Sequence, residues 1–404
     1  MESHKPNRHA LEGIRVLDLA DEKASFASKL LADLGAQVVK IEKPGGDPAR
    51  RIGPFWGDFP HPERSLFFFY HNTCKMSVTL NLEHEAGREI LLRLIEKADG
   101  VIETFPPGYL AGLGLEFEVL QKKNPRIILV SVTGFGQDGP RSNYKSCDLI
   151  AAAYGGQMQV SGSATAPPLK PYGEQSYYAA SLYAAVAFLL ALRKQRQTGK
   201  GEHIDISLEE VAVSTLEHVM VRYFYDKIIA QRQGSLHWDG SFCILPCKDG
   251  HILLTPFLQW EILVEWLDGE GMAGDLKEEN YRKEDYRRQH LPHVLEVLEH
   301  WTKKHTSTEL FELGQSMRLP WAPVHSPREV LENIHLRSRE FFREVSHPEM
   351  GQSIPYPGPP YKSGQISSLL TIPPKVGEHN RQIYQGELGL SPADLEKLVE
   401  MEVI

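Results

Sequence analysis

The residues Ile127-Ile128-Leu129-Val130-Ser131-Val132 carry an apolar side chain at all but one position. A short run without polar alternation reads as a strand buried on both faces. Such a strand needs helices above and below it, so the chain is expected to build a parallel α/β sheet. The first forty residues agree. Ile14-Arg15-Val16-Leu17-Asp18-Leu19 reads as a strand, Ala24 to Leu34 as a helix closed by Gly35, and Gln37-Val38-Val39-Lys40-Ile41 as a second strand, which makes one βαβ unit. The rhythm returns with a helix from Glu85 to Ala98 and the strand Gly100-Val101-Ile102-Glu103. Between the two copies lies a loop rich in Pro and Gly, Lys43 to His61, of a length that is more often functional than idle.

With 404 residues the chain has room for more than one domain. A turn at Gly199 to Gly201, from which Ile204-Asp205-Ile206 leads onward, closes a first domain, 1–205. A long helical pattern from Leu208 to about Ile229 then reads as a linker helix, 206–229. Residues 230–325 read as a smaller α+β domain, with the strand Gly250 to Leu254 followed by charge-rich helices such as Tyr281 to His300. Residues 326–404 are expected to return and pack on the first domain, through an extended Pro-rich linker (Ser353 to Pro374) and a last helix opened by Ser391 and Pro392.

Charge and composition narrow the function. Lys plus Arg number 44 against 53 Asp plus Glu, a formal charge of -9, so the basic excess that phosphate backbones attract is absent and no nucleic-acid partner is expected. Four scattered cysteines give no disulfide framework, and Met1 to Ala10 has no apolar export signal, so a cytoplasmic location is expected. The apolar stretch Tyr177 to Leu192 falls short of a spanning helix, and no membrane association is expected. The turn after the first strand, Leu19-Ala20-Asp21-Glu22-Lys23-Ala24-Ser25, holds no glycine, which removes the dinucleotide fingerprint. Cys243 and Cys247 read as core residues rather than as half of a zinc site, and no metal is expected. Gly134-Phe135-Gly136-Gln137-Asp138-Gly139-Pro140 directly follows the buried strand, where open α/β sheets bind ligands.

Several of these stretches together resemble the class III CoA-transferase family. The likeness runs through Leu30 to Ala36, Val39-Lys40-Ile41-Glu42, Gly46-Asp47-Pro48, Asn72 with Lys75 and Ser77, Glu103 to Gly108, Asn124-Pro125-Arg126, Gly134 to Pro140, Asp148 and the stretch Arg193 to Asp205. It implies a Rossmann-like large domain with a parallel sheet built from both chain ends, a smaller α+β domain, and two chains interlocked as rings. It also implies transfer of CoA through an aspartate that attacks the acyl-CoA thioester, which is covalent catalysis. The coenzyme A thioester is then substrate, and no cofactor is expected. Lys40, Lys75, Phe105, Gln137 and Asp148 are the substrate-binding positions so implied.

The chain departs from that pattern where chemistry is concentrated. The family aspartate stands fifteen residues before Leu192, and that place holds Tyr177. No Asp occurs between Asp148 and Asp205. The racemase variant of the family needs a His before the retained Asp, whereas Cys147 precedes Asp148. The CoA loop reads Glu103-Thr104-Phe105-Pro106-Pro107-Gly108, with Thr for Asn and Pro for Arg, so a phosphate-binding cation is lost. No catalytic residue is therefore expected, and the resemblance implies a heteromer in which a homologous catalytic subunit carries the aspartate. Among members with two unlike subunits, the likeness is to the one that uses succinyl-CoA and benzylsuccinate in anaerobic toluene degradation. Two alternatives stay open: a homodimeric enzyme that uses Glu174, which can equally be a carboxylate favoured by the helix N-terminus, and an acyl-CoA binding protein without turnover.

Overall fold

Six strands pair in parallel as one sheet: β1 (Arg15–Leu19), β2 (Gln37–Glu42), β3 (Met76–Thr79), β4 (Gly100–Glu103), β5 (Ile128–Thr133) and β6 (His203–Ser207). Their order is β3-β2-β1-β4-β5-β6 in this computed structural model, which describes residues 9–363 and 368–404. Every residue of β4 and β5 is buried, as a strand covered on both faces requires. β1 lies between β2 and β4, so the direction of the crossovers reverses there. In open α/β sheets ligands bind outside the carboxyl ends of the strands at such a point.

Helices cover both faces: α1 (Ser25–Asp33), α2 (Leu66–His71), α3 (Glu85–Ile95), α4 (Phe117–Lys123), α5 (Asp148–Tyr154), α6 (Gln175–Thr198) and α7 (Leu208–Ser214). On one face Val16, Val38 and Val130 meet Ala27 and Leu31 of α1 and Ala180, Ala184 and Phe188 of α6. On the other, Leu17, Val39 and Leu129 meet Ile90, Leu91 and Leu94 of α3 and Leu120 of α4. Helix α6 has 24 residues and is long and apolar enough by composition to cross a membrane, unlike the shorter stretch expected. Its small residues let it lie close to the sheet, while Leu182, Tyr183, Val186 and Leu190 stand exposed on its far side, so the expectation of a buried helix holds for one face only. The helix stops at Gly199, whose φ of 72° no β-branched residue would accept.

Residues 337–404 return to this unit, which also holds residues up to Gln157 and 170–218. Among the described residues they add no strand to the six-stranded sheet, which corrects the expectation of a sheet built from both chain ends. They cover its β3 edge instead. The Thr79 N–H donates to the Asn380 side chain at 2.9 Å, the His379 N–H to the Ser77 carbonyl at 2.9 Å, and the Tyr384 hydroxyl to the Thr79 carbonyl at 2.7 Å. An edge strand left with free backbone groups would pair with other chains. Ile383, Tyr384, Leu388 and Leu395 complete the core beneath α3. The Pro-rich stretch is not wholly extended linker: Gln352–Pro357 pairs antiparallel with Phe342–His347, and residues 364–367 lie outside those described.

The expected linker helix is two helices. α7 ends at Ser214, Glu217 takes a φ of 36°, and a new helix runs over Val219–Asp226. The second unit comprises Met158–Leu169 and Val219–Leu336. Its sheet is antiparallel, with strands Cys243–Cys247, Gly250–Leu254 and Ala322–Pro323. Trp260, Trp301 and Trp321 fill its core, with Cys243 and Cys247 buried beside them, and burial pushes the Cys243 thiol up to about 12. The short segment Met158–Leu169 joins this unit because the Arg232 guanidinium donates to the carbonyls of Ser163 at 3.1 Å and Ala166 at 3.3 Å.

Candidate active site

The carboxyl ends of β1, β2, β3 and β4 surround a cleft of about 280 Å³. Its walls are Leu19, Ile41, Leu80 and Leu82 from the strand ends, with Asp21, Thr104, Phe105 and Tyr109 across the point where the crossovers diverge. Phe105 stacks on Tyr109 with ring centroids 4.6 Å apart. Thr104, which stands where the family pattern has Asn, ties the two loops: its hydroxyl donates to the Asp21 carboxylate at 2.8 Å and accepts the Asp21 N–H at 2.9 Å. At the mouth, Lys43 and the Tyr109 hydroxyl both reach Glu83, at 3.0 and 3.3 Å.

Behind this cleft lies a network of buried charges. The Lys75 ammonium donates to Asp18 at 2.8 Å, Asn72 at 2.8 Å and the Ser25 carbonyl at 2.9 Å, which uses all three of its protons. Lys40 meets Asp47 at 2.8 Å and the Ala20 carbonyl at 2.5 Å. Arg50 grips both Glu42 oxygens, at 2.6 and 2.8 Å, and Ser77 donates to the same carboxylate at 2.6 Å. Against burial, Lys40 and Lys75 hold the Asp18 carboxyl below its usual range, and Arg50 does the same for Glu42. Burial draws the Lys75 ammonium down to about 8, although Asp18 opposes it. The two lysines singled out as binding positions thus sit at 0% and 4% exposure with their partners already in place. Lys23 is likewise bound to Asp21, so each of Lys23, Lys40, Lys43, Arg50 and Lys75 faces a carboxylate of this chain. Phosphates entering the cleft would have to compete with those carboxylates.

At the start of α6 the chemistry is of another kind. Glu174 is the residue before the helix, and Tyr177 stands in its first turn at 6% exposure. Burial, with smaller contributions from Glu22, Cys147 and Glu174, raises the Tyr177 phenol far above its ordinary value, so it stays protonated at any physiological pH. Asp148, at the start of α5, accepts the Ser176 N–H at 2.8 Å and the Lys170 ammonium at 2.6 Å, and thereby fixes the opening turn of α6. Burial and the charges of Asp148 and Glu22 push the Glu174 carboxyl upward, and burial with Asp21 pushes Glu22 upward too. Gln137 lies elsewhere, past β5, where its N–H donates to Asp205 at 2.8 Å.

Of the sequence candidates, Phe105 lines the cleft, Lys40 and Lys75 support it from behind, Asp148, Glu174 and Tyr177 gather at the α6 terminus, and Gln137 stands apart. Sequence reasoning missed Glu22, Glu83 and Tyr109. The first had a signal: it occupies the glycine-free turn after β1, where two carboxylates replace the residues that would approach a pyrophosphate.

Comparison with known proteins accords with this geometry. The chain is 34% identical over 400 residues, 96% of its length and 97% of the other's, to the succinyl-CoA:(R)-benzylsuccinate CoA-transferase subunit BbsE of Thauera aromatica. It is 32% identical to the formyl-CoA:oxalate CoA-transferase of Streptomyces avermitilis, across 98% of this chain and 99% of that one. A crystal structure of a CAIB/BAIF family protein from Brucella suis superposes with a TM-score of 0.83 at 28% identity, covering 94% of this chain and 99% of that chain. With the family model matched from residue 11 to residue 380, this chain belongs to CoA-transferase family III.

Proposed function

We propose that this chain is the non-catalytic subunit of a heteromeric CoA-transferase, paired with a homologous chain that carries the nucleophilic carboxylate. The observation that carries this reading is Tyr177: where a carboxylate would attack the thioester, the α6 terminus offers a buried phenol held in its protonated form. An acyl transfer that passes through an anhydride needs a carboxylate that is ionised and exposed to substrate. Burial and its acidic neighbours raise the Glu174 carboxyl, and it stands before the helix rather than in the first turn that Tyr177 occupies. The cleft supports the same reading, because the cations around it are neutralised by the chain's own carboxylates.

A structural role requires a partner. The exposed apolar residues Leu182, Tyr183, Val186 and Leu190 along α6 offer such a partner a surface of the kind that monomers seldom leave open. The 34% identity to a protein described as a subunit, acting with succinyl-CoA and benzylsuccinate, makes those the substrates proposed for the assembly, with interlocked rings as its form.

The test is to co-express the chain with a similar chain bearing Asp at the helix start, add succinyl-CoA, and trap acyl intermediates with hydroxylamine. Peptide mass spectrometry is expected to find the adduct on the partner alone. Modification of Glu174 overturns the non-catalytic reading, and a well-behaved monomer in sedimentation overturns the partnership.

A further inference from the structure

We propose that the outer edge of the strand Phe342–His347 is a docking surface that takes up an extended segment of the partner subunit as a third strand. The inference deepens the reading of this chain as one subunit of a heteromer and rests on that reading for its occupant.

Phe342–His347 and Gln352–Pro357 form a two-stranded antiparallel sheet in which Phe342 stands opposite Pro357, Glu344 opposite Pro355 and Ser346 opposite Ser353. A proline has no N–H to give, so Pro355 and Pro357 cannot belong to the hydrogen-bonded pairs of this ladder. The bonded pairs are the alternate ones, Arg343 with Tyr356, Val345 with Ile354 and His347 with Gln352. The Gly358 N–H donates to the Phe341 carbonyl at 2.7 Å in the same phase. Phe342, Glu344 and Ser346 therefore turn both N–H and C=O away from the hairpin. Among the described residues, none of these six groups has a hydrogen-bond partner.

The two edges of the hairpin are built differently. On Gln352–Pro357 the outward positions are Ser353, Pro355 and Pro357, so two of the three donors are missing and that edge is closed to pairing. On Phe342–His347 no proline intervenes, and all three donors and all three acceptors are present. Glu344 and Ser346 are exposed, whereas Val345 is buried with Tyr356 against Ala49, Phe68 and Phe69, and the His347 ring stacks on Phe69 at 5.3 Å. One face of the sheet is thus anchored on a core, which holds the open edge extended for a further strand. Charge decides which strand. A second copy of this edge, added antiparallel, sets like charges opposite each other when the register is centred on Glu344 or on Arg343, and a parallel copy in register does the same. Centring on Val345 brings Pro348, which has no N–H, opposite Phe342. The edge suits a sequence other than its own: an extended segment with no proline where it must donate and with Lys or Arg across from Glu344. A subunit of different sequence can meet both demands.

The test follows backbone amide exchange by mass spectrometry with residue-level fragmentation, in the full chain alone and in its assembly with the similar chain that bears Asp at the helix start. On assembly the Glu344 and Ser346 amides are expected to slow by about tenfold or more, whereas in the chain alone they exchange freely beside a protected Val345. Glu344→Pro leaves the hairpin's own ladder bonds in place, as Pro355 does across from it, and is expected to weaken assembly about tenfold or more. Glu344→Gln keeps the N–H and is expected to weaken assembly by no more than about fivefold. Free exchange of Glu344 and Ser346 in the assembly overturns the proposal, and so does assembly of Glu344→Pro with the affinity of the wild type. Slow exchange in the chain alone that grows with concentration makes a second copy the occupant and overturns it as well. Should Glu344→Pro fail to fold, exchange in the wild type decides. If no heteromer forms, the proposed function falls together with this inference, whereas a heteromer with unprotected amides removes this inference alone.

Discussion

Two charged regions of the same unit are built in opposite ways. Behind the cleft, Asp18, Lys40, Glu42, Asp47, Arg50 and Lys75 form a buried network in which each charge meets a counter-charge. At the start of α6, Glu22, Asp148 and Glu174 bring like charges together around a phenol, with Lys170 as their nearby cation. The first arrangement is what a fold needs, and the second leaves carboxylates crowded with Lys170 to offset them. The buried framework is the part least free to change, because removing one partner from a buried pair costs more than exchanging one side chain at a helix end.

The sharpest way to break this contrast is Lys75→Met, which strands Asp18 without its ammonium. It is expected to lower the free energy of unfolding by about 3–5 kcal/mol, read from urea titration at pH 7. If the loss is under about 1 kcal/mol, the network is not holding the fold. Next comes Tyr177→Asp, which adds a carboxylate among carboxylates and leaves a gap where the ring was. A loss of about 2–4 kcal/mol is expected, with no CoA adduct formed by the chain. An adduct at that position would make the α6 terminus an active site awaiting one residue.

The two regions should also answer pH with opposite signs. Asp18 and Glu42 have carboxyls lowered by folding, so their stabilisation is present above the ordinary carboxylate range and is lost as pH falls through it. Glu22, Glu103 and Glu174 are raised, so the folded state binds their protons more readily and stability falls as pH rises between the ordinary carboxylate range and about 7. Urea midpoints are expected to climb modestly from pH 7.5 toward 5.5 and to drop below about pH 4. A midpoint that rises steadily from pH 5.5 to 7.5 would mean that the α6 terminus and Glu103 do not titrate as described. The smallest effect is expected from Glu174→Gln, which removes one of the crowded charges. Assembly turnover should be unchanged within about twofold and stability within about 0.5 kcal/mol.

Much of this was legible in the order of residues. Strands β1, β2, β4 and β5 were, because buried parallel strands and their helices follow local apolar patterns, whereas β3 and β6 were not read as strands. The place of Tyr177 at the start of α6 was too, since it keeps its spacing from Leu192. What could not be read was burial of charge. Lys40 and Lys75 look like any cation reserved for a phosphate until Asp47 and Asp18 are found beside them, and Asp18 is 57 residues from Lys75. The broken helix at Thr215 to His218 was missed for a similar reason: the apolar pattern continues through it, and the break comes from where one compact unit ends and the next begins. Glu22 escaped because its neighbours at α6 are distant in sequence.

The cover over β3 has a consequence for how the protein is made. Thr79 waits for Tyr384, 305 residues further along. At the pace of translation that interval is on the order of 15–60 s, during which the edge of a nearly finished sheet stands uncovered on the ribosome. The large unit cannot close until Tyr384 has been made, and by then the second unit has already been made in between. Biogenesis therefore places the vulnerable moment before Tyr384 becomes available, when a chaperone that shields the β3 edge would decide how much of the newly made chain survives to assemble.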